Sequence, residues 1–198
     1  MATTSRIEWT EMTWNPVTGC DKVSAGCKYC YAETMARRLL AMGQPRYANG
    51  FKVTLQEDLV DLPLRWHQPR TVFVNSMSDL FHDEIPEAFI RRVFETMVKA
   101  EQHTFQVLTK RAARLADLAP RLPWPNNVWM GVSVENRAQT ARVRHLREVE
   151  AAVRKRLYRE AVVLKVGGGD RKAAHPHPGH HHGDEPGAED RGHQHFGG

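Results

Sequence analysis

The sequence predicts an α/β fold, a partial or truncated (β/α) barrel with parallel strands, followed by a disordered C-terminal tail. Short β-branched and aromatic runs recur at Thr71–Ser76, Thr104–Thr109 and Asn127–Val134. Each run is followed by a segment whose apolar residues return every three or four positions. From about Gly167 onward, large apolar residues all but vanish. Strand–helix units with short connections imply parallel strands and right-handed crossovers. An open or partial barrel and a doubly wound sheet both satisfy that pattern.

Trp9 to Trp14 is a plausible first strand. Tyr31 to Met42 carries Ala32, Met35, Ala36, Leu39 and Leu40 on one helical face, and Gly43 and Pro45 end the helix. Lys52–Leu55 reads as a short strand or extended link, and Glu57–Trp66 as a short helix broken by Pro63. After the Thr71–Ser76 strand, Pro86 suits a first helical turn, and Phe89, Ile90, Val93, Phe94, Met97 and Val98 mark the buried face. Thr104–Thr109 leads into a helix carrying Ala112, Leu115 and Leu118. Asn127–Val134 leads into one that Asn136 can cap and that carries Ala141 and Leu146.

Beyond Arg154, "KRLYREAVVLKV" leaves room for one more helix-to-strand unit. The segment after it is almost entirely Gly, His, Pro and charge, with Phe196 its one large apolar residue. Such a segment buries too little surface to offset its ordering entropy. The chain therefore reads as an α/β domain over 1–166 and a disordered tail over 167–198. The tract "HPHPGHHHGD" can bind metal adventitiously.

The 198 residues suit one domain, and the formal net charge of +5 permits a polyanion such as nucleic acid as partner. The run Arg142, Arg144, Arg147, Arg154, Lys155, Arg156 and Arg159 is interleaved with Val143, Leu146, Val149 and Val153, which favours a helix with a solvated outer face. The N-terminus has no apolar leader core, and no run has membrane-spanning length. A soluble, cytoplasmic protein without membrane contact is the expectation.

All three cysteines, Cys20, Cys27 and Cys30, lie within "TGCDKVSAGCKYCYAE", spaced C-x6-C-x2-C. In a cytoplasmic chain such clustering argues for metal or redox chemistry rather than a disulfide framework. Three readings stand. The thiols could be small buried hydrophobes. They could bind zinc in a structural or nucleic-acid-interaction module without catalysis, with a fourth ligand from His67, His82, His103 or His145. "HDE" at His82–Glu84 resembles the H-x-E of zinc deaminases, but it follows the cysteine pair, and Gly26 stands where that motif has proline. Or they could hold an iron–sulfur cluster with one iron left open to a small molecule.

"GCKYCYAE" resembles the cluster loop of the radical S-adenosylmethionine (SAM) superfamily. The longer "IEWTEMTWNPVTGCDKVSAGCKYCYAE", with "VFVNSMSDLFH", "FQVLTKR" and "VWMGVSVEN", resembles a phage-associated three-cysteine-motif family of unsettled function, over about Ile7 to Arg154. The resemblance implies a [4Fe–4S] cluster with Cys20, Cys27 and Cys30 each on one iron. It also implies SAM on the open iron, with its adenine along the backbone at Tyr29. The activity implied is reductive SAM cleavage to a 5′-deoxyadenosyl radical, which attacks an unknown substrate, with an electron donor such as a flavodoxin or ferredoxin. Two features depart from the superfamily pattern. Six residues, not three, separate the first two cysteines, and no "GGE" motif follows the early strands. Doubling a flexible loop costs only about 0.6 kcal/mol, so the spacing is no thermodynamic barrier.

In parallel βα architectures, ligands gather at the carboxyl ends of the strands. The residues following the expected strands are Asn75, Ser76, Ser78 and Asp79; Thr109, Lys110 and Arg111; and Ser133, Glu135 and Asn136. From these, Asn75, Ser76, Asp79, Lys110, Ser133 and Glu135 join Tyr29 as candidate cofactor-binding residues. The five tryptophans are expected in the core or shielding the cluster.

The family implied by the resemblance carries further strand–helix units, whereas here the composition switches near Arg154 to what a GC-rich region yields when read out of frame. A truncated, inactive member is the corresponding expectation. Sequencing the coding DNA checks it: one alternative frame downstream of Arg154 should restore alternating strands and amphipathic helices. Early stop codons in both alternative frames would rule the idea out.

Overall fold

The computed structural model describes residues 3–4, 9–153 and 162–164. The chain divides into two units, Met1–Gly168 and Gly169–Gly198, and every described residue lies in the first. The disorder expected over 167–198 lies outside the described residues.

In chain order the strands are β1 (Thr3–Thr4), β2 (Met12–Trp14), β3 (Val17–Thr18), β4 (Thr54–Leu55), β5 (Thr71–Val74), β6 (Thr104–Thr109), β7 (Val128–Ser133) and β8 (Val162–Leu164). The α-helices are α1 (Tyr31–Ala41), α2 (Glu87–Lys99), α3 (Ala112–Leu118) and α4 (Ala141–Val153). Six strands form one sheet in the order β1-β2-β5-β6-β7-β8, and β3 pairs with β4 apart from it. β1 is antiparallel to β2, while β2, β5, β6, β7 and β8 run parallel. Each parallel strand is laid beside its predecessor, always on the same side. A doubly wound sheet reverses direction at a switch point. Among the described strands this sheet does not, so of the two arrangements open to the sequence the partial barrel is the one adopted.

Alternation along the strands separates two faces. Val72 and Val74 of β5, Phe105 and Val107 of β6, and Val128, Met130 and Val132 of β7 are buried in one core with α2, α3 and α4. Helix α2 supplies Phe89, Ile90, Val93, Phe94 and Met97 to it, as its periodicity requires. Each such side chain contributes about 1.5–3 kcal/mol by leaving water. Val98, expected on that face, is exposed. The opposite face carries Phe73 and Leu108, both half-buried, and opens into a cavity.

Local chemistry explains the element ends. Gly43 takes a left-handed φ of +68° after α1, its N–H bonding Leu40 O while Gln44 N–H bonds Leu39 O. The helix expected over Glu57–Trp66 is instead two 3-10 turns, Glu57–Leu59 and Leu62–Arg65. Pro63, lacking an N–H, is the second residue of the second turn, where no donor is needed. Asn136 precedes a 3-10 turn, Arg137–Gln139, without a side-chain capping bond, and α4 starts only at Ala141.

The amino ends of the strands are tied by buried polar groups. Asn127 Nδ2 donates to Met97 O, Ala100 O and His103 O at 3.0, 3.2 and 2.9 Å, fastening the end of α2 to the start of β7. His103 is buried beside Pro63 O, 3.1 Å from Nε2, with Trp66 and Phe105 edge-on to its ring. Burial holds its pKa below the ordinary 6.5, against the opposing pull of the Pro63 and Trp66 carbonyls. The folded state thus binds the proton less well than the unfolded chain. The stability His103 contributes is full above pH 6.5 and is lost as pH falls through the depressed value. Thermal unfolding should show a midpoint that drops between pH 7 and pH 5, and the drop should be smaller in His103→Gln.

Candidate metal and cofactor site

The cysteine loop starts where the second, smaller sheet meets the first. Gly19 forms a parallel bridge with Ser78, its N–H bonding Met77 O at 3.0 Å, and Cys20 N–H bonds Phe51 O at 3.1 Å. Gly19 has φ +86°, and a Cβ there would lie 2.1 Å from Lys52 O, so no other residue fits. The spacer then passes through a 3-10 turn, Ala25–Cys27, and Cys30 caps α1 with its carbonyl accepting from Thr34 N and Oγ1.

All three cysteines are free and partly buried, and all line one cavity of about 660 Å³. The cavity opens at the carboxyl ends of the parallel strands. Of the candidates named from sequence, Tyr29, Asn75, Ser76, Asp79, Lys110 and Ser133 line it, as do Ser78, Thr109 and Arg111. Trp9, edge-on to Phe73 at 4.9 Å, forms part of its wall, and Tyr29 stands 87% exposed. Trp14 is instead core, its Nε1 donating to Leu59 O.

These residues differ in what they have left to offer a ligand. Asp79 is fully engaged: Oδ1 accepts from Thr109 Oγ1 at 2.7 Å and Phe81 N at 3.1 Å, and Oδ2 from Lys110 N at 2.9 Å. Ser76 Oγ donates to Asn15 Oδ1, and Ser78 Oγ to Val17 O. Asn75 is the opposite case. It ends β5 with a left-handed φ of +59°, is 4% exposed, and neither Oδ1 nor Nδ2 has a protein partner. Leaving a buried polar group unpaired costs about 1–3 kcal/mol. A ligand bearing both a donor and an acceptor would remove that cost. Glu135 lies behind the lining residues: its Oε1 accepts from Gly26 N at 3.4 Å and its Oε2 from Arg142 Nη1 at 2.7 Å. Burial opposes ionisation of Glu135, but Ser24, Arg142 and Gly26 outweigh it and hold its pKa below the usual range.

The spacer's first residue joins a cluster that sequence reasoning did not assemble. Asp21 Oδ1 faces His82 Nε2 at 3.0 Å and accepts from Arg111 Nη2. Burial opposes the Asp21 charge, yet Arg111 and His82 pull its pKa below the ordinary value. Cys20 Sγ, Asp21 and His82 place ligand atoms within 4.8 Å of one another. The tautomer argues against a zinc ion there. His82 Nδ1 accepts from Glu84 N at 3.1 Å, so the neutral ring keeps its proton on Nε2, facing Asp21. A histidine bound to metal through Nε2 normally donates from Nδ1 instead. Burial, followed by Asp79, pushes the Cys20 thiol up to about 11 against the pull of Arg111, so a metal must displace its proton. The other candidate zinc histidines are not in the cavity lining: His67 is exposed, His103 packs on Trp66, and His145 pairs with Glu148.

The donor set fits an iron–sulfur cluster, since three free thiols border a cavity far larger than a single ion needs. No helix among the described residues is long and apolar enough to cross a membrane.

Two solved structures of spore photoproduct lyase share the fold. One, a variant with bound AdoMet and dinucleoside spore photoproduct, aligns with a TM-score of 0.55 at 15% identity. The other, complexed with dinucleoside spore photoproduct, aligns at 0.50 and 15%. Each alignment covers 77% of this chain and 45% of the solved chain, so this chain spans less than half their length. The likeness thus shows a shared α/β fold. No curated protein matches the sequence. A family match covers residues 4–170, running past Arg154, the end of the resemblance read from sequence. The chain belongs to the family described as protein of unknown function DUF5131.

Proposed function

We propose that the protein is a radical SAM enzyme that holds a [4Fe–4S] cluster on Cys20, Cys27 and Cys30 and SAM in the adjoining cavity. One observation carries this reading: three free thiols and the unpaired Asn75 amide line the same cavity at the carboxyl ends of parallel strands. Its volume of about 660 Å³ lies within the range of small-molecule and cofactor sites. When bound, the cluster would supply the electron for reductive cleavage of SAM to a 5′-deoxyadenosyl radical.

The protein's own residues bind and orient. The Asn75 amide can accept from an ammonium and donate to a carboxylate, the two groups at the amino-acid end of SAM. Phe73, Leu108 and Trp9 give the wall an apolar stretch that excludes water beside the reacting atoms. Zinc is the less favoured occupant. Tetrahedral thiolates on one zinc ion stand about 3.8 Å apart, from Zn–S bonds of about 2.3 Å. Here the group at single-ion spacing joins Cys20 to Asp21 and His82, without Cys27 or Cys30.

Anaerobic reconstitution with iron and sulfide, followed by metal analysis and assay of SAM cleavage, tests the reading. Cys20→Ala, Cys27→Ala and Cys30→Ala should each abolish cluster loading, because three thiolates leave no spare ligand. Gly19→Ala should also lower loading sharply without removing a ligand, since its Cβ would displace the loop from Lys52 O. A single cysteine variant with full iron, full sulfide and an unchanged spectrum would overturn the assignment. Zinc without sulfide in anaerobically purified protein would favour the non-catalytic module.

A further inference from the structure

A buried cation faces the first cysteine. Arg111 follows β6, is 8% exposed, and donates from Nη1 to Cys20 Sγ at 3.7 Å. Its Nη2 donates to Asp21 Oδ1, and Asp79 Oδ2 and Asp83 Oδ2 each lie 3.9 Å from the guanidinium. Its backbone N–H bonds Thr109 Oγ1 at 2.9 Å, which fixes the start of the side chain as well as its end. Asp83 is exposed and its charge is screened, whereas Asp79 keeps its charge near the same sulfur, so removing the guanidinium would leave that negative charge unopposed beside Cys20.

We propose that Arg111 is a positioning residue that sets the reduction potential of the cluster through its bond to the Cys20 sulfur. This rests on the cluster reading of the preceding subsection. Reduction adds one electron, and so one negative charge, to a centre already carrying three thiolates; no bond forms or breaks. An N–H···S bond draws density from the thiolate, and a cation held beside it favours the more negative state. Low exposure strengthens both effects. Asp21 works in the opposite sense, since its carboxylate sits on the same guanidinium and next to the same cysteine. A residue that merely braced the loop would change cluster content on removal but would not move the potential in a charge-dependent direction.

The test uses the full chain as wild type, Arg111→Gln, Arg111→Lys and Asp21→Asn, each reconstituted anaerobically with iron and sulfide. Iron and sulfide are measured, and the one-electron midpoint is followed by electron paramagnetic resonance during titration with photoreduced deazaflavin. The midpoint is read on the loaded fraction of each protein, because removing either partner of the Asp21–Arg111 pair also loosens the spacer. The midpoint of Arg111→Gln should be more negative than wild type, and that of Arg111→Lys intermediate, because the charge stays while the fork is lost. Asp21→Asn should shift it the other way. Unshifted midpoints in loaded Arg111 variants would overturn the proposal while leaving the cluster reading intact. If Arg111→Gln does not fold, Arg111→Lys and Asp21→Asn decide, and midpoints equal to wild type in both overturn it. Wild type that takes up neither iron nor sulfide overturns both readings together.

Discussion

The rim depends on one carboxylate. Asp79 takes Phe81 N and Thr109 Oγ1 on one oxygen and Lys110 N on the other, so it joins the loop after β5 to the end of β6. Hydrogen bonds to a charged group contribute about 1.5–3 kcal/mol each, and their loss would leave a charge buried without partners. With both loops fixed, Thr109 receives the backbone N–H of Arg111, and the guanidinium is delivered to Cys20 and Asp21. The parallel sheet brings the strand ends to one side. Asp79 turns that proximity into a defined wall.

Much of the fold was legible because the signals are local. β6 occupies Thr104–Thr109, the bounds its composition predicts, and α2 buries five of the six residues that its periodicity selects. The cysteine loop, the helix after it and its closing glycine are equally local. Local signals fail where two answers share one pattern. The segment around Pro63 has helical apolar spacing but too little length between breakers, and it settles into 3-10 turns. Asn136 carries a capping side chain, yet α4 starts five residues later, and the extended backbone at Asn136 leads into a separate turn.

The candidate site was legible in membership and less so in role. Sequence order locates residues at strand ends, and most of those named do line the cavity. It cannot say which are already paired. Asp79 and Asn75 follow the same strand, yet one is saturated by protein donors and the other is left wholly unpaired. The pairings that decide this join positions tens of residues apart, such as Asp21 with Arg111 or Gly26 with Glu135. From sequence His82 was one of four possible fourth zinc ligands, with an HDE stretch that departs from the zinc-deaminase pattern in order and at Gly26. The Glu84 N–H on its Nδ1 leaves the ring proton on Nε2, which stands 3.0 Å from Asp21 Oδ1.

The six-residue spacer between Cys20 and Cys27 now has a physical account. Loop-closure entropy alone would tolerate it, but a flexible spacer would leave Cys27 and Cys30 without a fixed relation to Cys20. Here the spacer is held at both ends by buried groups from three different strand–helix units. Asp21 is held by His82 and Arg111, after β5 and β6, and Gly26 by Glu135 after β7. Glu135 is itself fixed by Arg142, whose Nη1 also donates to Ser133 O. Gly26 lets this contact close, because a Cβ there would stand 2.9 Å from Glu135 Cγ. Charged side chains with several partners have few rotamers left to lose, so the loop they hold inherits the rigidity of the sheet. The extra residues thus act as a span between two fixed points, and the geometry of the three thiols is set by the barrel rim rather than by the loop.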